Sequence, residues 1–239
     1  MLGSGAMTNS IEDVTRKAEV IMLVGSNPEE AHPVIGMQIR AAVERGCRLI
    51  AVDPRDIGLA AHADIHLKLR PGTNVAFANG IVNYLIQHEL YDEDFVRERT
   101  EGFEILAATV RDYTPELVED ICGIDRRDLV AAAKMYAAAD AAAIMYCLGV
   151  TEHSTGTDGV MALSNIAMIS GNLGKPGGGV NHCAARTTCR APATWAPVPT
   201  TCPATRRWLI PRWCAASRRR GAPRFRVRAA SRPPSASRP

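Results

Sequence analysis

At 239 residues, 46% hydrophobic and 22% charged, the chain is long enough for one or two domains with a sizeable core. No run of 18 apolar residues suggests a membrane-spanning helix, and Met1–Met7 lacks the basic and apolar parts of a signal peptide, so a cytoplasmic location is expected. The net charge of +3 is unevenly divided: His182 to Pro239 holds 13 Arg and no Lys, Asp or Glu, leaving 15 basic and 25 acidic residues before it, a net of −10.

In chain order, Val20–Val24 is a continuous apolar run closed by Gly25-Ser26-Asn27-Pro28, which suits a strand buried on both faces of a parallel sheet. A helix is predicted from about His32, with Pro33 in its first turn, an apolar side of Val34, Met37, Ile39, Ala41, Ala42 and Val43, and Gly46 closing it. Arg48–Val52 is a second strand leading into Asp53-Pro54-Arg55. A short helix around Ile57–Ala61 precedes a third strand, Ile65–Leu69. Asn74 is placed to cap a helix running to about His88. Helices follow over Asp92–Arg99, Phe103–Arg111, Pro115–Cys122 and Arg126–Ala138, then a strand over Ala142–Tyr146, a polar loop Gly149–Gly159 and a helix over Val160–Ser170. The expected fold is α/β: a doubly wound, mainly parallel sheet with a helical insertion between its third and fourth strands. After Gly177-Gly178-Gly179 the periodicity stops. Residues 182–239, rich in Arg, Pro and Ala, carry too little apolar surface to offset the ordering of their backbone and are expected to be disordered.

Ligands of open parallel sheets bind outside the carboxyl ends of the strands. Four segments fall there: Gly25-Ser26-Asn27, Asp53-Pro54-Arg55, Leu69 to Asn74 with Pro71 and Gly72 between, and Cys147 to Gly156. Gly25 lets its backbone approach a ligand closely, the helix start near His32 suits a phosphate, Asp53 suits a ribose hydroxyl, and Arg55 or Arg70 suits a phosphate or base. The same residues also serve as plain turn and helix-start residues, and no GxGxxG is present, so the residues alone leave a nucleotide-like ligand and a purely structural role open. The cysteines (Cys47, Cys122, Cys147, then Cys183, Cys189, Cys202 and Cys214) show no CxxC pairing, and the histidines do not cluster, so no metal ligand and no catalytic residue is assigned.

Several segments in order, however, resemble one family. They are Gly3-Ser4-Gly5-Ala6-Met7-Thr8-Asn9-Ser10, Gly25 to Pro33, Asp53-Pro54-Arg55, Leu69 to Ala76, Arg99 to Glu104, Tyr113 to Glu116, Gly149 to Gly156 and Gly171 to Pro176. Together they are similar to the molybdopterin oxidoreductases, and among these to formate dehydrogenase alpha subunits, over residues 3–181. The resemblance implies that this region holds part of a molybdopterin guanine dinucleotide carrying molybdenum or tungsten. Gly25, Ser26, Asn27, Asp53, Pro54, Arg55, Pro71, Gly72 and Asn74 would hold a guanosine diphosphate part, Glu30, His32 and Leu69 would lie with them, and Cys147, Gly149 and Thr151 would approach a pterin. It implies as partners the remainder of a catalytic subunit and electron-transfer subunits. The family's 4Fe-4S cysteines and its metal ligand precede the segment matched here, so the chain alone is expected to be inactive.

At Asn181 the family continues Asn-Pro-Leu-Arg-Gly-Gln, with an Arg thought to contact formate, whereas this chain continues His182-Cys183-Ala184-Ala185-Arg186. One coding of residues 181–186, AAC CAC TGC GCG GCC AGA, becomes Asn-Pro-Leu-Arg-Gly-Gln when a single C follows AAC. A one-base loss at codon 182, either a deletion in the gene or a sequencing error, is therefore expected, with residues 182–239 out of frame. Nitrate reductase and the large cluster-bearing subunit of complex I are alternatives within the family. Outside it stand a free-standing nucleotide-binding module and, from the Arg-rich tail, a nucleic-acid-binding protein. No specific nucleic acid is expected, because frame loss accounts for the arginines and aromatic residues are sparse.

Overall fold

A computed structural model describes residues 7–183 and the backbone of residues 208–209. Five parallel strands form the central sheet: β1 (Val20–Val24), β2 (Arg48–Val52), β3 (Ile65–Leu67), β5 (Ala142–Tyr146) and β6 (Gly179–His182), in the order β3-β2-β1-β5-β6. Strand β4 (Thr100–Glu101) pairs in parallel with β7 (Trp208–Leu209), apart from the sheet. The α/β expectation holds, including the helical insertion between β3 and β5. The expected disorder of residues 182–239 fails at its start, where His182 ends β6 and Cys183 is buried; apart from these and β7, it lies outside the described residues, as do Cys189, Cys202 and Cys214.

Strand alternation divides the core between the two faces. Val20, Met22, Val24, Ile50 and Val52 face α4 (Asn74–Gln87), α7 (Pro115–Cys122), α8 (Arg126–Ala137) and α10 (Gly156–Ile169). Ile21, Leu23, Leu49, Ala143 and Met145 face α1 (Ile11–Lys17) and α3 (Pro33–Glu44). Both faces are covered, which is why β1 and β5 read as unbroken apolar runs. The insertion adds α5 (Glu93–Arg99) and α6 (Phe103–Val110), and Asn83 ties it down by donating from Nδ2 to the carbonyls of Val110 (3.0 Å) and Arg111 (3.1 Å).

Several boundaries differ from expectation for local reasons. The helix read from His32 is α3, and a separate short helix not read from the sequence, α2 (Pro28–Ala31), precedes it, with His32 between them (φ −144°, ψ 70°) making no side-chain cap. Val34 and Met37, assigned to the apolar side of α3, are 63% and 65% exposed, and the buried stripe is Gly36, Ile39 and Ala42, spaced by three. Thr73, not Asn74, holds the N-cap position of α4. The segment near Ile57–Ala61 is a 3-10 turn, Gly58–His62, and β3 ends at Leu67 rather than Leu69. The loop read as Gly149–Gly159 contains α9 (Leu148–Thr151), and α10 begins at Gly156, four residues before the expected Val160. Helix α1, not read from the sequence, is capped by Ser10, whose side chain accepts from the Asp13 N–H (3.1 Å).

The largest omission is β6. Its Val180 and Asn181 pair with Ile144 and Met145 of β5, and the strand crosses the boundary read at residue 181. Cys183, just beyond it, is fully buried, and its N–H donates to the Tyr146 carbonyl (2.8 Å).

Candidate functional site

The chain leaves β1 toward β2 and β3 on one side, and later adds β5 and β6 on the other. Between β1 and β5 the connections therefore diverge, opening a crevice at their carboxyl ends. The loops after β1 and β5 cross there without side chains: the Gly149 N–H donates to the Gly25 carbonyl (3.0 Å), and a Cβ built on Gly25 would lie 2.7 Å from the Gly149 carbonyl carbon. Gly25 also has φ +54°, a left-handed backbone that favours glycine.

A cavity of about 510 Å³ opens over this crossing, within the roughly 300–1,000 Å³ usual for small-molecule and cofactor sites. Of the residues singled out from the sequence, Gly25, Ser26, Asn27 and Glu30 line it after β1, and Asp53, Pro54 and Arg55 line it after β2. Leu69, Pro71, Gly72 and Asn74 follow β3, and Cys147 and Gly149 follow β5. His32 and Thr151 are not among its walls. Ala31 and Val52 are lining residues that sequence reasoning left out, and Leu148 and His153 line it from within the Cys147–Gly156 segment without having been singled out. The signal for Leu148 and His153 was available, since both lie in the loop that leaves the carboxyl end of β5.

The polar groups are unequally engaged. Asp53 is 3% exposed, and its Oδ1 accepts from the Arg55 N–H (2.9 Å) and Arg55 Nε (3.3 Å), which fixes the turn after β2. The backbone of that turn is held again by His66, whose Nε2 lies 3.1 Å from the Asp53 carbonyl oxygen. Arg55 keeps the rest of its guanidinium in solvent. Arg70 lines the cavity but spends its Nη1 on the C-terminal carbonyls of α7, donating to Asp120 (2.6 Å) and Ile121 (3.5 Å). Of the two arginines offered to a phosphate, Arg55 is the less committed. Asn27 Oδ1 is buried with no hydrogen-bond partner among the described residues, an acceptor that a bound group can satisfy. Burial pushes the Cys147 thiol up. It remains protonated and donates to the Cys183 carbonyl (2.6 Å), a structural arrangement rather than a nucleophilic one. Among the described residues no group of three or more His, Cys, Asp or Glu is placed to hold a metal ion.

The crevice, the glycine crossing and the unpaired acceptor have the size and polarity of a small-molecule or cofactor site. A family model described as molybdopterin oxidoreductase matches residues 3–213. The chain belongs to the molybdopterin oxidoreductase family. Its curated relatives in this family include the F420-dependent formate dehydrogenase subunit alpha of Methanocaldococcus jannaschii, 48% identical over 179 residues, 75% of this chain and 26% of the relative. Formate dehydrogenase H of Escherichia coli is 39% identical over 202 residues, 84% of this chain and 28% of the relative. Among solved structures, acetylene hydratase from Pelobacter acetylenicus superposes with a TM-score of 0.64 at 30% identity, over 69% of this chain and 24% of that one. The chain thus spans about a quarter of the length of the curated relatives it matches. As an oxidoreductase family member it carries the family's α/β fold, and the family implies a molybdopterin cofactor.

Proposed function

We propose that this chain is part of a formate dehydrogenase alpha subunit and that its β1/β5 crevice holds the guanosine diphosphate part of a molybdopterin guanine dinucleotide. The observation that carries the reading is the Gly25–Gly149 crossing, which exposes bare backbone on the floor of a cavity walled by the loops after four strands. Asp53 supplies a carboxylate to hydroxyl or ring N–H donors, Arg55 a guanidinium to phosphate, and Asn27 Oδ1 an unpaired acceptor. The loop from Cys147 borders the same cavity and would face the pterin end, with the Cys147 thiol neutral. When bound, the cofactor, with molybdenum or tungsten, supplies two-electron oxidation of formate to carbon dioxide. The residues described here bind and orient it.

Formate oxidation is proposed for the full-length protein, together with a 4Fe-4S cluster, the remaining parts of the catalytic subunit and electron-transfer subunits as partners. A cytoplasmic setting is part of the same reading. Among the described residues no helix is long and apolar enough to cross a membrane.

Calorimetric titration of the full chain tests the nucleotide assignment. GDP should bind at least about tenfold more tightly than NAD, a difference of about 1.4 kcal/mol. Equal affinity, or binding of NAD alone, would remove the assignment. Mass spectrometry of ligand retained through purification should find a pterin guanine dinucleotide or its nucleotide part.

The out-of-frame reading of residues 182–239 rests on back-translation. The family match continuing to residue 213 weighs against it. Genomic sequencing across codon 182 decides between them, and an intact gene with no lost base would end the frame-loss proposal.

A further inference from the structure

Beyond Cys147, the loop after β5 is anchored by the buried Val150 and by very few hydrogen bonds. From Leu148 to Ser154, its hydrogen bonds to sequence-distant described residues are both made at Gly149. The Gly149 N–H donates to the Gly25 carbonyl (3.0 Å), and the Gly149 carbonyl accepts from Asn74 Nδ2 (3.1 Å). The first bond is main chain to main chain. The second depends on one side-chain amide.

That amide projects from a rigid base. Asn74 is the first residue of α4, whose Phe77, Ile81 and Leu85 are fully buried. Its own Cβ is 4.0 Å from where a Cβ on Gly159 would stand, so the starts of α4 and α10 are in close register. Thr73, which holds the cap position, turns its Oγ1 to the Arg70 carbonyl (2.7 Å), leaving Asn74 free to reach across the cavity. The chain of contacts runs from the wall after β3, through Asn74, to the wall after β5, and through Gly149 to the floor at Gly25.

We infer that Asn74 is a positioning residue that clamps the loop after β5 across the crevice and sets the width of the cleft, rather than serving a ligand by direct contact. This rests on the reading of the cleft as a nucleotide site. The clamp itself can be measured without a ligand. Loss of one net hydrogen bond corresponds to a roughly three- to tenfold change.

Amide hydrogen exchange on the full chain should therefore quicken about three- to tenfold at residues 148–154 in Asn74→Ala. The core amides of α4 at residues 77–85 should stay unchanged, which also reports that the variant is folded. GDP affinity should fall by a similar factor. Asn74→Asp gives a sharper readout. At pH 7 its carboxylate is an acceptor facing the Gly149 carbonyl, so loop exchange should be at least as fast as in Asn74→Ala. When pH falls below about 4 the introduced carboxyl gains a proton it can donate. Its loop exchange should then return toward wild type, relative to Asn74→Ala at the same pH. Equal loop exchange in wild type and Asn74→Ala overturns the clamp whatever GDP does. Faster loop exchange with no GDP binding to wild type supports the clamp and overturns the nucleotide reading. Faster loop exchange with GDP affinity unchanged shows that the clamp does not set the cleft, and overturns the proposal.

Discussion

At the residue scale, the crevice is governed by what is missing from two positions. A methyl group on Gly149 would stand 2.7 Å from both the Cα and the carbonyl oxygen of Gly25, and main chain cannot swing aside as a flexible side chain can. Gly149→Ala should therefore open the crossing and cost about 1–3 kcal/mol, read as a lower urea midpoint together with weakened GDP binding. An unchanged midpoint and affinity would mean that the two loops do not meet in solution. Most of this site was legible as residue types at the ends of apolar runs: glycine, aspartate and asparagine there mark loops that leave the sheet at its binding edge. What sequence could not supply is how each side chain is spent. Arg55 and Arg70 are equal candidates on paper, and only the fold brings the carbonyls of α7 to Arg70. His32 departs from expectation for a related reason. Pro28 starts a separate short helix, which leaves His32 in the joint between two helices rather than facing the cavity.

Among the elements, strands with a strong apolar signature were readable and those defined by their neighbours were not. Strands β1, β2 and β5 are runs of Val, Ile, Leu, Met and Ala, apart from Arg48 at the start of β2 and Tyr146 at the end of β5. By contrast, Gly179-Val180-Asn181-His182 has neither a run nor an alternation, and becomes a strand because β5 offers it a ladder. Helix α1 did carry a signal, Ser10 with Asp13 three residues on and Ile11 and Val14 on one side. Asp13 also links α1 to the turn before β6. Its Oδ2 accepts from the Gly177 N–H (2.8 Å) and Asn9 Nδ2 (2.9 Å), and its Oδ1 pairs with Lys17 (2.8 Å). Burial raises this carboxyl's pKa, but Lys17, the Gly177 N–H and the Asn9 amide outweigh it, holding it below the ordinary value. A depressed folded value means that the stabilisation is present above the unfolded pKa, near 3.9, and is lost as pH falls through the folded value. Asp13→Asn should lower the thermal midpoint at pH 7 by roughly 2–4 °C. The gap from wild type should narrow below pH 4, and a gap constant from pH 7 to pH 3 would contradict this account.

For the whole molecule, charge and composition separate residues 1–181 from residues 182–239, and the order of the family segments points to the fold before any single motif can. The structure moves that boundary slightly later. His182 ends β6 and the fully buried Cys183 packs behind Cys147, its thiol pushed up to about 12 chiefly by burial. A chain ended after Cys183 loses, among the described pairings, only the two-residue β4–β7 ladder; it should therefore keep the thermal midpoint of the full chain within about 2 °C and lose any salt-sensitive affinity for nucleic acid contributed by the tail arginines. A chain ended after Asn181 should unfold at a lower temperature, because it leaves β5 without its last pairings. Equal midpoints for the two truncations would show that residues 182–183 add nothing to the sheet.

The crossing of Gly25 with Gly149 also limits how this protein can diverge. Substitutions in a packed core are often tolerated when a neighbour shrinks to make room, but here each partner is already the smallest residue there is. No second-site change at either position can rescue the other. Descendants that keep this cleft should hold both glycines together, while drift is free to act on the residues that surround them.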